Sequence, residues 1–139
     1  MRFLLLLTLA TPAAAWEFSV ENDTCRLTHT EAEAEAVVTY TPADSLYAIT
    51  LTGPETWAPF PFFVIRFDGA RPLTITTDRQ TYAGSALTVT DRGFGNVLDG
   101  LASNQSAIAQ LGPQSMAFSL EGAAPEVAKF RACTDAALA

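Results

Sequence analysis

The sequence predicts an α+β domain that is mainly antiparallel β, sandwich-like or built on one strongly twisted sheet, with a short helix near 95–103 and a C-terminal helix docked by a disulfide. Three observations carry this expectation. Apolar and polar residues alternate over most of the 139-residue chain, which is the period of a half-buried strand. Only two late segments place apolar residues at helical spacing. The two cysteines, Cys25 and Cys133, lie near opposite ends of the domain.

The first element is a leader. Arg2 supplies a positive n-region, Phe3 to Ala10 an apolar stretch, and "PAAAW" a small-residue cleavage site after Ala15. Residues 1–15 thus read as a signal peptide and 16–139 as a single periplasmic domain. The apolar run is too short to cross a bilayer, which takes about 20 residues, so no membrane span is expected after cleavage. In an exported chain, two cysteines without C-x-x-C spacing point to a structural bridge rather than to metal or redox chemistry. A Cys25–Cys133 disulfide would close a loop for which chain-entropy arithmetic gives roughly 4.7 kcal/mol.

The strands follow in order. In "WEFSVE" Trp16, Phe18 and Val20 share a face; "NDT" turns; "CRLTH" places Cys25, Leu27 and His29 together. "AVVTYT" and "LYAITLT" are separated by the turn-forming "TPADS". "FFVIRFDG" is apolar on nearly both faces, as in a central strand. "TITTDRQTY" and "ALTVTDR" are expected to form a hairpin around a three-residue "AGS" turn, and "SAIAQL" and "MAFSL" complete the set. The run "TEAEAEA" is read as an extended hairpin arm with Glu31, Glu33 and Glu35 on one solvent face. Helices are expected at "GNVLDGLAS", through Val97, Leu98 and Leu101, and at "APEVAKFRACTDAA". In the second, Pro125 and Glu126 suit the first turn, and Val127, Phe130 and Cys133 form one apolar stripe.

Charge excludes some partners. The chain has eight basic and 15 acidic residues, and loss of Arg2 with the leader makes it more acidic still. Lys129 is the only lysine. Nucleic-acid affinity depends on lysine and arginine displacing counterions, so nucleic acid and anionic membrane surfaces are poor partners.

The stretch "TDRGFGNVLDGL", 90–101, has the outline of a phosphate loop but lacks its chemistry. Gly95 and Gly100 are followed by Leu101 and Ala102 rather than lysine and a hydroxyl, and Leu98 stands where a dinucleotide fingerprint needs glycine. A structural role fits better. In the expected hairpin, Asp91 meets Arg79 and Asp78 meets Arg92, two ion pairs that would fix register. The alternative is a carboxylate pair, Asp78 and Asp91, in a small carbohydrate-active hydrolase. His29 is the lone histidine, with no G-x-S-x-G elbow and too few companions for zinc; it reads as a core or rim residue. No metal or cofactor is expected. The matches to N-x-[ST] at Asn22 and Asn104 would matter only in a glycosylating host.

The best candidate for binding is "WAPFPFF". Proline stiffens the segment, and Trp57, Phe60, Phe62 and Phe63 would form either an exposed patch for a partner or sugar, or a cap over the open end of the core.

Together "ITTDR", "LTVTDRGFGNVLDGL", the early cysteine and the terminal "SLEGAAPEVAKFRAC" resemble a group of small exported proteins of alphaproteobacteria. Some of these carry the label of an excinuclease B subunit; with no Walker motif and no basic surface, this chain does not fit that label. More distantly, the tail is similar to the ends of invasion-associated locus B-like periplasmic proteins, through Leu120, Gly122 and Ala124 or Ala128. That resemblance implies a β-rich periplasmic fold and brings no catalytic residues. The functional expectation is a non-enzymatic module binding an envelope protein or glycan; the alternatives are the Asp78/Asp91 hydrolase or an inhibitor of an envelope hydrolase.

Overall fold

The computed structural model describes residues 15–138; most of the expected signal peptide, residues 1–14, lies outside the described residues. The described residues form two antiparallel sheets and two helices. Strands β1 (Glu17–Glu21), β2 (Thr24–Glu31), β3 (Ala34–Thr41) and β4 (Leu46–Thr52) run as a meander. They are followed by β5 (Phe63–Gly69), β6 (Leu73–Thr77), β7 (Gln80–Ala83), β8 (Ala86–Asp91), α1 (Gly95–Ser103), β9 (Asn104–Leu111), β10 (Gln114–Ser119) and α2 (Ala123–Leu138). One sheet has the order β1-β2-β3-β4-β8-β7, the other β10-β9-β5-β6.

Alternation along the strands decides which residues lie between the sheets. Leu27, Val38, Tyr40, Ile49, Leu51, Leu87 and Val89 from the six-stranded sheet form one buried cluster with Phe63, Ile65, Phe67, Ala107, Ala109, Leu111 and Phe118 from the four-stranded sheet. This is the packing of a sandwich. The first turn is Asn22-Asp23, both in the left-handed region at φ +48° and +64°, the geometry a two-residue hairpin demands.

Both expected helices are present. Helix α1 buries Leu98, Gly100 and Leu101. A methyl group at Gly100 would overlap the Phe67 ring on β5, so this residue sets how closely helix and sheet approach. Helix α2 lies against β1 and β2 and buries Val127 and Phe130. Cys133 on that helix is bonded to Cys25 on β2, across 108 residues, as expected from the sequence.

Two details differ from the expected hairpin. The segment "TITTDRQTY" is not one strand: β6 belongs to the four-stranded sheet and β7 to the six-stranded one, with the chain crossing between them at Asp78-Arg79. The β7–β8 turn holds two residues, Gly84 and Ser85, with Ala83 opposite Ala86, because Gly84 at φ +62° supplies the turn conformation directly. The run "TEAEAEA" also departs from one solvent face. A turn at Ala32-Glu33 separates β2 from β3; Glu35 stays exposed, whereas Glu31 is half-buried and points inward beside His29.

Two outcomes are expected in urea denaturation. Replacing both cysteines (Cys25→Ser with Cys133→Ser) should lower unfolding free energy by roughly 3–5 kcal/mol. Gly100→Ala should cost about 1–3 kcal/mol through overpacking against Phe67, whereas Gly95→Ala, with open space around it, should change little.

Candidate functional site

The loop at 92–95 does its work through Phe94. Gly93 and Gly95 flank a ring that is buried and stacks on Tyr47 at 5.4 Å. Tyr47 in turn lies 4.6 Å from Tyr40 and 6.3 Å from Phe130. One aromatic cluster thus ties β3 and β4 to the start of α1 and to α2. The loop is an anchor, and its backbone forms one wall of a cleft.

That cleft lies between the sheets on the β6/β8 flank and holds about 410 Å³. Ile49 and Val89 line it from one sheet, Ile65 and Ile75 from the other, and Phe94 and Val97 from the loop and α1. Its polar wall includes Asp91 and Thr77. The size and composition match those of small-ligand pockets, which are mostly apolar with a few polar groups that fix orientation. The sequence pattern could not reveal this site, because the same residues read as ordinary core positions.

Of the expected ion pairs, Arg79 meets Asp91 at 3.5 Å. No ion pair joins Asp78 to Arg92 among the described residues. The crossing at Asp78-Arg79 takes β6 out of the sheet in which the two would have been neighbours, and Asp91 instead accepts the Arg92 backbone N–H at 2.7 Å. The Arg79–Asp91 pair is solvent-exposed on both sides and contributes little to stability. Asp91 lines the cleft and Asp78 does not, so the two carboxylates do not open into this space together.

The aromatic segment divides. Trp57 and Phe63 are buried core residues; the Trp57 indole donates to the Leu51 carbonyl at 3.2 Å, and Phe63 lines the cleft between the sheets. Phe60 is half-buried, its carbonyl held by Gln80 and Tyr82 at 3.0 Å. Phe62 is 47% exposed and meets Phe60 edge-on at 5.1 Å. With Val64 and Pro113 they line a shallow depression. The aromatic patch therefore shrinks to Phe60 and Phe62, while Trp57 and Phe63 cap the core.

His29 is buried at 2% exposure in a cluster that joins the two sheets. Its ring stacks on Trp16 at 4.8 Å with planes 8° apart. Nε2 donates to the Glu31 carboxylate at 2.9 Å, and the same carboxylate accepts the Ser119 N–H at 2.8 Å. The Trp16 indole donates to the Ser119 carbonyl at 3.0 Å. The hydrogen bond from His29 holds the Glu31 carboxyl below its ordinary value of 4.5, the Ser119 N–H adds to this, burial opposes it, and the charge of His29 adds a smaller lowering. The arrangement staples β2 to β10 and keeps the His29 ring buried.

Comparisons of the chain with protein-family models, with curated proteins and with solved structures return no match. Among the described residues, no helix is long and apolar enough to cross a membrane.

The Glu31 cluster sets a pH dependence. A carboxyl whose value is lower in the folded state binds fewer protons there than in the unfolded chain, so its contribution is complete above about 4.5 and is lost as pH falls through the lowered value. Stability of the native protein should therefore decline through this acid window. Glu31→Gln should lower stability by about 1 kcal/mol near neutral pH and flatten this part of the decline, read from urea midpoints across a pH series.

Proposed function

We propose that the chain is an exported, periplasmic binding module without catalytic activity, which accepts an apolar group of an envelope component into the cleft between its sheets. The observation that carries this reading is the cleft itself: an opening of about 410 Å³ between the sheets, lined mostly by apolar residues and by a single carboxylate, Asp91. Apolar walls favour an aliphatic or aromatic group over a sugar, which requires hydrogen-bonding partners at most of its edges. The disulfide supports an oxidising compartment. A hydrolase reading gains nothing here, since Asp78 stands outside the cleft and Asp91 is engaged with Arg79.

The test is a fluorescence titration with an uncharged naphthylamine probe. Saturable binding to one site per chain is expected, with displacement by an envelope extract. Ile75→Trp, which places a larger side chain at the cleft wall, should weaken probe binding about tenfold or more, while Phe62→Ala should leave it unchanged. No saturable binding, or equal binding by the Ile75 variant, would overturn the assignment.

A further inference from the structure

Alternation along β8 turns Leu87, Val89 and Asp91 to one face, opposite Leu51, Ile49 and Tyr47 of β4. Leu87 and Val89 are core residues. A carboxylate in the third place does not serve apolar packing, and a charge beside an apolar space is costly unless another group answers it. Asp91 lines the cleft, and among the described residues that do so it alone is charged. The other side chains there are apolar except for Thr77 and Asn96.

The protein's own groups use only part of this carboxylate. Oδ1 accepts the Arg92 backbone N–H at 2.7 Å and also meets Arg79 Nη1, at 3.5 Å. That separation exceeds the about 2.7–2.9 Å of a charge-assisted hydrogen bond. Both side chains are well exposed, 46% for Asp91 and 63% for Arg79, so solvent weakens the pair. Arg79 does not line the cleft. Among the described residues no hydrogen bond reaches Oδ2. The rim of an apolar recess therefore carries one ionised acceptor that is only partly engaged.

We propose that the ligand of the cleft is an amphiphile with a protonated amine head: its apolar part enters between the sheets and its ammonium binds Asp91, which thereby selects the head group. An ammonium offers donors and no acceptor, which suits a carboxylate oxygen without a protein partner, and the bond is charge-assisted. Because Asp91 is half-exposed, the ammonium keeps part of its water, and the desolvation cost of a buried ion pair is reduced. A neutral hydroxyl can also donate to Oδ2, but at about half the strength. An anionic head would meet the carboxylate with no basic side chain in the cleft wall to offset it. The net charge of −7 at pH 7 adds a long-range field that favours cations. The inference rests on the cleft being the binding site and adds the chemistry of the head group.

Isothermal titration calorimetry with octylammonium, octanol and octanoate, probes of equal chain length used below their micelle-forming concentrations, tests it. Octylammonium should bind roughly tenfold tighter than octanol, with octanoate the weakest, and the advantage should shrink at high salt. Asp91→Asn should bring octylammonium to the level of octanol measured on the same variant. Arg79→Gln removes the competing cation and should enlarge the ammonium preference about twofold or more. Octylammonium no tighter than octanol, octanoate the tightest, or a preference that survives Asp91→Asn would overturn the head-group assignment, while octanol binding would leave the cleft standing as the site. Should Asp91→Asn bind neither probe, an enlarged preference in Arg79→Gln upholds the assignment and an unchanged one overturns it. Failure of all three probes to bind the wild type would overturn the cleft reading and this inference with it.

Discussion

The inner face of the six-stranded sheet is wider than the four strands that face it, and the rest of the molecule answers to that mismatch. β10 lies over β3 and reaches β2 through its Ser119 end, which leaves much of β1 and β2 to be covered by another element. Helix α2 covers them, with Val127 and Phe130 entering the core. An exposed apolar sheet face would forfeit about 25 cal/mol for each Å² left in water, and a helix docked by one face alone can fray. The Cys25–Cys133 bond fastens the covering helix to the very strand it covers. On the same flank, the Trp16–His29–Glu31–Ser119 cluster ties β2 to β10 through a ring stack and hydrogen bonds to the half-buried Glu31 carboxylate.

The opposite flank is treated differently. There the chain crosses from one sheet to the other at Asp78-Arg79, and the 93–97 segment closes only one side of the space between β6 and β8. What stays open is the cleft. One end of the sandwich is therefore locked by a covalent bond and a polar cluster, while the other offers an apolar recess. The asymmetry sets the disulfide-fastened flank apart from the flank that holds the cleft.

Much of this was legible in the residues. Period-two alternation located the strands, because each has one buried face, and the 3.6-residue stripe of Val127, Phe130 and Cys133 located α2 and aimed its cysteine inward. The sheet crossing was not legible. Leu73, Ile75, Thr77, Arg79 and Thr81 continue one alternation across Asp78, and nothing in a period-two pattern records which sheet a strand joins. The aromatic segment was legible only as two alternatives: Trp57, Phe60, Phe62 and Phe63 have the same composition whether they cap a core or face solvent, and only the bonds to Leu51, Gln80 and Tyr82 decide. Glu31 was misplaced because the turn at Ala32-Glu33 breaks the Glu/Ala repeat. The cleft is a void, and a sequence specifies the residues around a void without marking that they fail to meet.

Methyl-resolved nuclear magnetic resonance tests the central claim, that the open flank is where this scaffold receives its ligand. Ile49, Ile65, Ile75, Val89 and Val97 line the cleft, whereas Val37, Val64 and Ile108 alternate onto the outer faces of the sheets. On addition of an envelope extract or an uncharged apolar probe, the account predicts shifts confined to the first group and saturating together. Shifts centred on Val64 and Ile108 would move the site to the outer face beside Phe62, and an unchanged spectrum in the cleft methyls would contradict the account.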